Sequence, residues 1–387
     1  MDKVEYGYFS LLRKPLGVAT LLPLFLHVLP SEAVGQSSID VEPSCAGCVI
    51  SQSLQTRLGA SSDPDALVYG TPIHLVELND GALVLFTSAG GPPTVYDSGG
   101  AFLRKIGRKG QGPLEFLLPS LALEVPGDSL LVLDPGQDRA LVVAGNSGSR
   151  TISRLPSVLQ MDVLRWPLAI SVADIRTPEA VARPFHVLDF SGSAVVKTAS
   201  FGSDDTEQRA WSPPEKWSVD AQDDSLFWAV GGSDYSLELW NVKRGRMVQL
   251  HRPLSEYDPE NRFGVGNPRT PPPAKVVSAL VDDEGLIWVL LHVPRGDWQR
   301  AWQDVPISPR GEISLSRVPQ MPLDLYQTRV DVIDPEAGAL VHSSLIPRFA
   351  IPFSHRRSPA MAIYRLDEQG NPLVEIWSLE LEWPHSR

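Results

Sequence analysis

Cysteine is scarce: of the 387 residues only Cys45 and Cys48 are cysteines, and they stand in the segment CAGC. One such pair cannot supply a four-cysteine zinc site, and haem attachment would require a histidine where Val49 stands. The segment leads into VISQSLQTRLG, which does not read as the helix that follows a redox-active pair in a βαβ unit. In an oxidising compartment we expect a disulfide in a short loop, with free thiols, lipidation and a metal as the alternatives.

Dense runs of Lys and Arg are also missing, and the formal net charge is −12. Nucleic acids carry a dense negative charge and are bound through basic surfaces, so nucleic acid is not an expected partner. The apolar fraction of 43% and the charged fraction of 21% are those of a globular chain, which excludes a largely disordered one.

The apolar stretch near the N-terminus, PLGVATLLPLFLHVLP at 15–30, is short for a membrane span. A span needs about 20 apolar residues, and Pro23 and His27 interrupt this one. A positive flank precedes the stretch, and AVG stands before Gln36, as in an export signal with a small-residue cleavage site. We predict a cleaved signal at 1–35 and a periplasmic or secreted protein. The alternative is a retained anchor at 15–30, which would be its only contact with a membrane.

Proline and glycine are abundant, at 35 and 30 residues, which argues against long helices and for short strands joined by turns. An apolar pair, an Asp or Asn, a Gly and a second apolar run recur along the chain. The copies are VYDSGGAFLRKIG at 95–107, VLDFSGSAVVKTAS at 187–200, LWNVKRGRMVQLH at 239–251, VIDPEAGALVHSSL at 332–345 and a weaker VVAGNSGSRTISRL at 142–155. Asp or Asn followed by Gly between apolar runs predicts a β-hairpin.

A second recurring element precedes most of these hairpins. It is a continuous apolar run, found at 81–86, 128–134, 224–230 and 284–291, with a degenerate version at 168–174. Such runs predict strands buried on both faces, and we assign each as the inner strand of its unit.

Units that repeat at about 40 to 60 residues predict a β-propeller. Five runs and the imperfect C-terminal unit at 360–383 give six blades. The last blade is one strand short, and the strand predicted at 49–59 has no blade of its own. Their pairing would close the ring and cover the open sheet edges. The expected chain is therefore all-β: a signal at 1–35, a linker with the CAGC segment at 36–48, and one six-bladed propeller at 49–387.

The stretch IGRKGQGPLEF at 106–116, followed by LPSLALEVPGDSLLVLDPGQDRALVV, resembles propellers of the NHL-repeat type, especially the exported six-bladed β-propeller proteins of bacteria. In that group a blade ends IGxxGxGPGEF. The matching residues here are Gly107, Gly110, Gly112, Pro113, Glu115, Phe116, Pro119, Gly127, Asp128, Val132 and Asp134, with Arg139 where the pattern has an arginine. DDEGLIWVLL and VDVIDPEAG resemble the group's fifth blade, and the resemblance covers most of 45–383. Leu114 departs from the pattern's glycine, so the turn there is either less extreme or strained.

The three glycines of this stretch do not form a phosphate-binding loop. Pro113 follows the last of them where GxxxxGK[ST] has Lys and a hydroxyl residue, and no βαβ unit surrounds them. We interpret Gly107, Gly110 and Gly112 as positions of positive φ in a crossover between blades, which Pro113 stiffens and Phe116 anchors between the sheets.

The candidate ligand-binding residues are Arg139, Trp298 and Trp302. The two tryptophans stand in RGDWQRAW, within a polar insert at 293–325, and loops on a rigid scaffold commonly carry binding residues. The other tryptophans are expected to pack between sheets.

Carboxylates for a metal on the propeller axis are offered by Asp134, Asp174, Asp189 and Asp282. Relatives of the fold include calcium-dependent lactonases and a lyase, which makes a calcium-dependent hydrolase or lyase the alternative function. No Asn partners occur at comparable positions, the histidines lack the short spacing of metal pairs, and no GxSxG motif occurs. We therefore predict an exported, monomeric, non-catalytic propeller without a cofactor, which binds a protein, peptide or small ligand at a channel mouth or at inter-blade loops.

Overall fold

A computed structural model of the protein describes residues 36–39, 42–59, 68, 70–127, 129–144, 148–156, 158–173, 183–202, 217–231, 235–254, 271–304, 317–319, 322–354 and 358–384. The predicted export signal at 1–35 and the candidate metal ligand Asp174 lie outside these residues. Within them, no helix is both long enough and apolar enough to cross a membrane.

The described residues fold almost entirely into β-strands. In chain order these are β1 (Gln36–Ser38), β2 (Val49–Leu58), β3 (Pro72–Glu77), β4 (Leu83–Thr87), β5 (Thr94–Tyr96), β6 (Phe102–Lys105), β7 (Arg108–Lys109), β8 (Glu115–Phe116), β9 (Leu121–Val125), β10 (Ser129–Asp134), β11 (Arg139–Ala144), β12 (Gly148–Ser153), β13 (Val158–Arg165), β14 (Leu168–Ala173), β15 (Phe185–Asp189), β16 (Val196–Phe201), β17 (Trp217–Ala221), β18 (Leu226–Gly231), β19 (Ser236–Asn241), β20 (Gly245–His251), β21 (Lys275–Val281), β22 (Ile287–Pro294), β23 (Trp302–Asp304), β24 (Arg317–Pro319), β25 (Tyr326–Asp334), β26 (Ala339–Ile346), β27 (Ala350–Ile351), β28 (Phe353–Ser354), β29 (Ala360–Leu366) and β30 (Pro372–Glu382). Short helical turns lie at Pro135–Gln137, Trp298–Ala301 and Pro322–Leu325.

The strands form six antiparallel blades around a ring, which confirms the predicted six-bladed propeller. Blades 1 to 4 are β3–β6, β9–β12, β13–β16 and β17–β20; blade 5 is β21, β22, β25 and β26; blade 6 is β27, β29, β30 and β2. The strand that opens each blade is its innermost one, because these strands lie against those of the neighbouring blades.

The ring is closed by the strand predicted at 49–59. β2 pairs antiparallel with β30 from Val49 opposite Glu382 to Leu58 opposite Val374, so it is the outermost strand of blade 6. This pairing confirms the predicted closure and completes a blade that the C-terminal segment alone would leave one strand short.

A buried carboxylate holds the closing strand in place. Glu375 on β30 is 1% exposed and accepts hydrogen bonds from Arg57 on β2 and Arg365 on β29, both at 3.1 Å, and from the Trp377 indole at 3.2 Å. Burial by itself raises the pKa of Glu375, but the hydrogen bonds and the guanidinium charges outweigh it and lower the pKa. The ionised carboxylate therefore stabilises the junction of β2 with the rest of blade 6.

The segment predicted as a linker at 36–48 is attached to the propeller. β1 pairs in parallel with the outermost strand of blade 4, and Ile39 is buried between blades 4 and 5. The N–H groups of Ser44 and Cys45 donate to main-chain oxygens of β26 at 2.7 and 3.2 Å. Cys45 and Cys48 form the predicted disulfide. The segment thus runs along the outer edges of blades 4 and 5 before it becomes the outer strand of blade 6.

Blades 4 and 5 are also joined by a buried polar network around Asp331. Its fully buried carboxylate accepts hydrogen bonds from the Tyr235 hydroxyl at 3.0 Å, from Ser343 at 2.6 Å and from the guanidinium of Arg252. Burial raises the pKa of Asp331. Burial also raises the pKa of Tyr235, and the neighbouring Asp331 carboxylate raises it further. Removing one partner would leave buried polar groups unpaired, so the network fixes how the two blades dock.

The spaces between neighbouring blades hold the apolar core, in six clusters within the described part of the chain. Along β10, Leu130 and Val132 face blade 1, whereas Leu131 and Leu133 face blade 3. The continuous apolar runs are thus buried on both faces, as predicted, but they are the second strands β4, β10, β14, β18 and β22. Their assignment as inner strands was wrong, because an innermost strand borders the channel and carries polar residues that interrupt its apolar pattern.

The segment at 106–116 is a crossover from blade 1 to blade 2, in which the parallel pair β7–β8 forms. Gly107 has φ +72° and Gly110 has φ +153°, but Gly112 has no positive φ, so that part of the prediction was wrong. Gly112 provides space instead, since a Cβ there would lie 3.0 Å from the Glu115 carboxylate, to which its N–H donates at 2.7 Å. The φ of +53° at Leu114 shows that this position is left-handed and strained.

A tight turn explains why the family pattern has glycine at that point. The Glu115 N–H donates to the Gly112 carbonyl at 3.2 Å, so Pro113 and Leu114 are the two central residues of the turn. A positive φ after proline is typical of a type II turn, which favours glycine there. Phe116 is fully buried between blades 1 and 2, as predicted.

Gly107→Ala is expected to lower the free energy of unfolding by about 3 kcal/mol, because it combines a left-handed φ with a steric clash. An added Cβ would lie 2.0 Å from the Leu114 carbonyl oxygen. Gly127→Ala is the matched control, because Gly127 has φ +83° but no atom within 4 Å of an added Cβ. It should cost about 1 kcal/mol. Urea unfolding of both variants measures the difference, and equal losses would contradict the crossover geometry.

Glu375→Gln is expected to cost about 2 kcal/mol of unfolding free energy at neutral pH, because it removes a buried charged acceptor. Since folding lowers the pKa of Glu375, its contribution is complete above the ordinary value of 4.5 and is lost as the pH falls through the folded-state pKa. The gap between wild type and variant should therefore narrow below that value. Glu380→Gln, at an exposed position of the same strand, is the control. A gap independent of pH would rule out the proposed role of the carboxylate.

Candidate functional site

Two adjoining cavities lie where the innermost strands meet, and each has a volume of about 220 Å³. Gln160 and Pro352 border both. We call the one bordered by Trp217, Lys275 and His292 the mouth cavity, because it lies at the first residues of β17 and β21 and beside the insert that follows β22. The other is the inner cavity, and the two together form the axial channel.

The polar lining of the inner cavity comes mainly from innermost strands. It consists of His74 on β3, Gln160 and Asp162 on β13, Ser218 and Asp220 on β17, Ser278 on β21, and Ser354 on β28. The channel wall is therefore polar where the spaces between blades are apolar.

Side chains of one innermost strand bond the main chain of the next. The Asp162 carboxylate accepts the Ala221 N–H at 2.7 Å, and the Asp220 carboxylate accepts the Val281 N–H at 2.8 Å. The Ser218 hydroxyl accepts the next blade's main-chain N–H, from Ala279, at 2.9 Å. These N–H groups lie on the edge of the strand that faces the axis, where no further strand pairs with them. The contacts therefore satisfy the open edges of blades 4 and 5.

The series of contacts ends at blade 6. Its innermost strand is divided: β27 pairs within blade 6, but β28, after Pro352, pairs in parallel with β3 of blade 1. Ser278 stands on blade 5 where Ser218 stands on blade 4, yet among the described residues its buried hydroxyl has no hydrogen-bond partner. Pro352 has no N–H to donate, and both cavities lie beside it.

The Gln160 side chain separates the two cavities. Its amide, on blade 3, donates to the Val277 carbonyl on blade 5 at 3.1 Å, so it reaches past blade 4.

The mouth cavity combines one cation with aromatic and apolar walls. Lys275 Nζ lies 4.4 Å from the centre of the Tyr326 ring, and His292 stacks on Phe349 at 4.2 Å. His292 Nε2 lies 2.7 Å from the Ala350 carbonyl oxygen, which fixes the ring. Burial raises the pKa of Tyr326 to about 12, so its hydroxyl stays neutral.

Within the described residues of the insert predicted at 293–325, a small apolar cluster packs against Tyr326. Trp298 is 7% exposed and packs with Ala301, Leu325 and Tyr326. Its indole thus belongs to a small core beneath the mouth rather than to an exposed platform. Trp302 begins β23, which pairs with β24 opposite Pro319.

Asp134 and Arg139 both hold the crossover at 106–116. The buried Asp134 carboxylate accepts the N–H groups of Leu117 and Leu118 at 3.0 and 2.9 Å. Arg139 donates to the main-chain oxygens of Gly112 and Glu115. The structure therefore gives these two predicted site residues hydrogen-bonding partners in the fold and places neither beside the channel cavities.

The three candidate metal ligands within the described residues, Asp134, Asp189 and Asp282, are not brought together. Asp189 accepts the Ser191 N–H at 2.8 Å in its own hairpin. Asp282 accepts the Leu286 N–H at 2.9 Å and the Trp288 indole at 2.7 Å. Across the described ranges, no three His, Cys, Asp or Glu side chains are grouped so that they could hold a metal ion.

The channel residues were not among the sequence candidates. Asp162, Asp220 and Lys275 stand in strands whose apolar pattern is interrupted, and only the continuous runs were used to find blades. The signal that could have found them is a polar residue in the interrupted strand that precedes each continuous apolar run.

Comparison with known proteins supports the fold. No protein-family model matches the chain, and no curated protein matches it. Among solved structures, a protein described as exported from Bacteroides fragilis is 13% identical with a TM-score of 0.52, covering 90% of this chain and 99% of that one. A member of the DUF4221 family from Bacteroides vulgatus is 10% identical with a TM-score of 0.54, covering 87% and 99%. A virginiamycin B lyase from Staphylococcus aureus, at 5% identity and a TM-score of 0.43, covers 86% and 100%. At such identities the likeness to the two Bacteroides proteins shows a shared propeller fold alone.

Asp220→Ala is expected to lower the free energy of unfolding by about 1–3 kcal/mol, because the Val281 N–H would lose its acceptor. Asp224→Ala on the same blade is the control, since both side chains of the ion pair between Asp224 and Arg165 are exposed. The control should change stability by less than about 0.5 kcal/mol. Denaturant titration compares the two variants, and a loss no larger for Asp220 than for Asp224 would disprove the bridging role.

Proposed function

We propose that this chain is an exported, monomeric, non-catalytic β-propeller that binds a small ligand in its axial channel. One observation carries the proposal: two adjoining cavities of about 220 Å³ are lined by fixed polar groups together with aromatic and aliphatic side chains. Small-molecule sites commonly have this composition, and the meeting point of several blades is a rigid place for one. The volume favours a small molecule over a protein or peptide partner.

Export is supported by three findings. The Cys45–Cys48 disulfide is a bond that persists in oxidising compartments, and the N-terminal stretch has the composition of a signal. A protein described as exported shares the fold. A periplasmic or secreted location therefore fits the chain.

A larger cavity of about 900 Å³ between blades 4 and 5 is the less suitable site. It opens beside Trp228, Leu250 and Gly338. Asp334, one of its polar residues, accepts N–H groups of its own turn at 2.9 Å. Polar groups converge less in this groove than in the channel.

No observation favours the alternative, a calcium-dependent hydrolase or lyase with its metal on the axis. Asp134, Asp189 and Asp282 each accept main-chain N–H groups, and none of them borders the cavities of the channel. Calcium prefers six to eight converging oxygens, whereas the two carboxylates that do border the channel already accept N–H groups.

Ala279→Phe is expected to abolish the binding of small molecules that a ligand-observed NMR screen finds with the wild type. Ala279 borders the inner cavity and packs against the apolar cluster between blades 4 and 5, so a phenyl ring there would crowd the wall of the cavity. Ala101→Phe, at an exposed hairpin position, is the control and should keep every ligand.

Two results would contradict the proposed function. One is a set of ligands that bind equally to the wild type and to Ala279→Phe. The other is one calcium ion per chain, found by elemental analysis of the purified protein and lost together with a hydrolytic activity.

A further inference from the structure

The groove between blades 4 and 5, with a volume of about 900 Å³, lies at the end of the propeller opposite the mouth cavity. It is bordered by residues of the turns that follow β17, β21 and β25, whereas the mouth cavity lies at the first residues of β17 and β21. The groove and the two channel cavities share no bordering residue among those described. A ligand in the channel would therefore leave this groove free for a second partner.

Apolar side chains form the floor of the groove. Trp228, Leu239 and Val248 stand in one row across β18, β19 and β20, because Leu239 is opposite Trp228 in one strand pair and opposite Val248 in the next. Trp228 is 7% exposed, whereas Leu239 and Val248 are only half-buried. The core between the two blades thus continues to a surface where apolar atoms still contact water, and a partner that covered them would gain free energy.

The rim of the groove is acidic. Glu284 and Glu336 are exposed on the turns after β21 and β25, and the half-buried Asp334 ends β25. No lysine or arginine is among the described residues that border the groove. Within the described part of the chain, no salt bridge involves any of these three carboxylates. Asp334 accepts the N–H groups of Glu336 and Ala337 at 2.9 Å, which orient its carboxylate but leave its charge in place.

The length of the groove suits an extended chain. Gln222, which follows β17, borders it together with residues of β18, β19 and β20, so the groove crosses all the strands of blade 4. Neighbouring strands are about 4.8 Å apart, which gives the groove a span of roughly 14 Å. An extended chain rises about 3.3 Å per residue, so a segment of about four or five residues would fill this span.

We propose that the groove between blades 4 and 5 binds an extended segment of a partner protein in which lysine or arginine flanks apolar side chains. The apolar side chains would cover Trp228, Leu239 and Val248, and the basic ones would lie beside Glu284 and Glu336. Burial of the floor supplies free energy, while the complementary charges on the rim select a basic partner and speed its association. The inference goes beyond the binding of a small ligand in the channel and does not rest on it.

Three fluorescently labelled pentapeptides with uncharged ends, KLVLK, ELVLE and KSGSK, test the proposal by anisotropy at physiological ionic strength. KLVLK should bind at least about tenfold more tightly than ELVLE, which the acidic rim repels, and than KSGSK, which cannot cover the floor. The amide signals of Gly285, Ala337 and Gly338, which border the groove, should shift in two-dimensional NMR spectra when KLVLK is added.

The double variant Glu284→Gln, Glu336→Gln should weaken KLVLK binding about tenfold, because it removes two charges from the rim. Glu368→Gln combined with Glu380→Gln is the matched control, since it makes the same change of net charge at exposed positions of blade 6 outside the groove. Charges at that distance are screened by salt, so the control should keep its affinity for KLVLK within about twofold.

The proposal is overturned if KLVLK does not bind, if ELVLE or KSGSK binds as tightly as KLVLK, or if the double rim variant keeps the wild-type affinity. It is also overturned if the protein sediments as a dimer that KLVLK dissociates, because a second copy of this chain would then be the occupant. The comparison of the peptides on the wild type decides the matter even if a variant does not fold.

Discussion

The innermost strands of blades 4 and 5 each have an edge with no described strand beside it, and the chemistry of the channel follows from this. Main-chain N–H groups along that edge, such as those of Ala221, Ala279 and Val281, need acceptors. An unpaired buried N–H costs about 1–3 kcal/mol, comparable to the cavity cost of a core truncation. Asp and Ser on the preceding blade supply the acceptors, so the polar wall is first of all a requirement of the ring. The candidate site lies beside Pro352, because a proline has no N–H that requires an acceptor.

Segments near the two ends of the described chain pair with each other to complete that same ring. β2 completes blade 6, and the segment before it bonds the outer edges of blades 4 and 5. These three blades also supply one side of the channel wall, with Ser278 on blade 5 and Pro352 after β27. The pairing of β2 thus holds blade 6 in place. The innermost strand of blade 6 is divided into β27 and β28, and the two cavities lie beside Pro352 between them.

Much of the fold could be predicted because its signals are local. Asp-Gly hairpins and continuous apolar runs depend on nearest neighbours along the chain, and each blade repeats them. The strand at 49–59 was found because an unpaired strand and an incomplete blade imply each other. The order of strands within a blade was harder, since burial on both faces marks the second strand and not the innermost one.

The site could not be predicted because residue type does not show which N–H a side chain faces. Asp134 and Asp220 look alike in the sequence, yet Asp134 holds a crossover whereas Asp220 borders the channel. Arg139 likewise looks exposed and basic, but it donates to main-chain oxygens of the crossover. Gln160 and Val277 are 117 residues apart, and only the closed ring brings them across the channel.

The central claim is that side chains replace strands along the open inner edges and so make a rigid, acceptor-rich channel. Residue-resolved amide hydrogen exchange tests this most directly. The amides of Ala221, Ala279 and Val281 should exchange as slowly as those inside paired strands, because their openings require the wall to separate. Exchange of these three amides as fast as that of exposed turn residues such as Gly99 would contradict the claim.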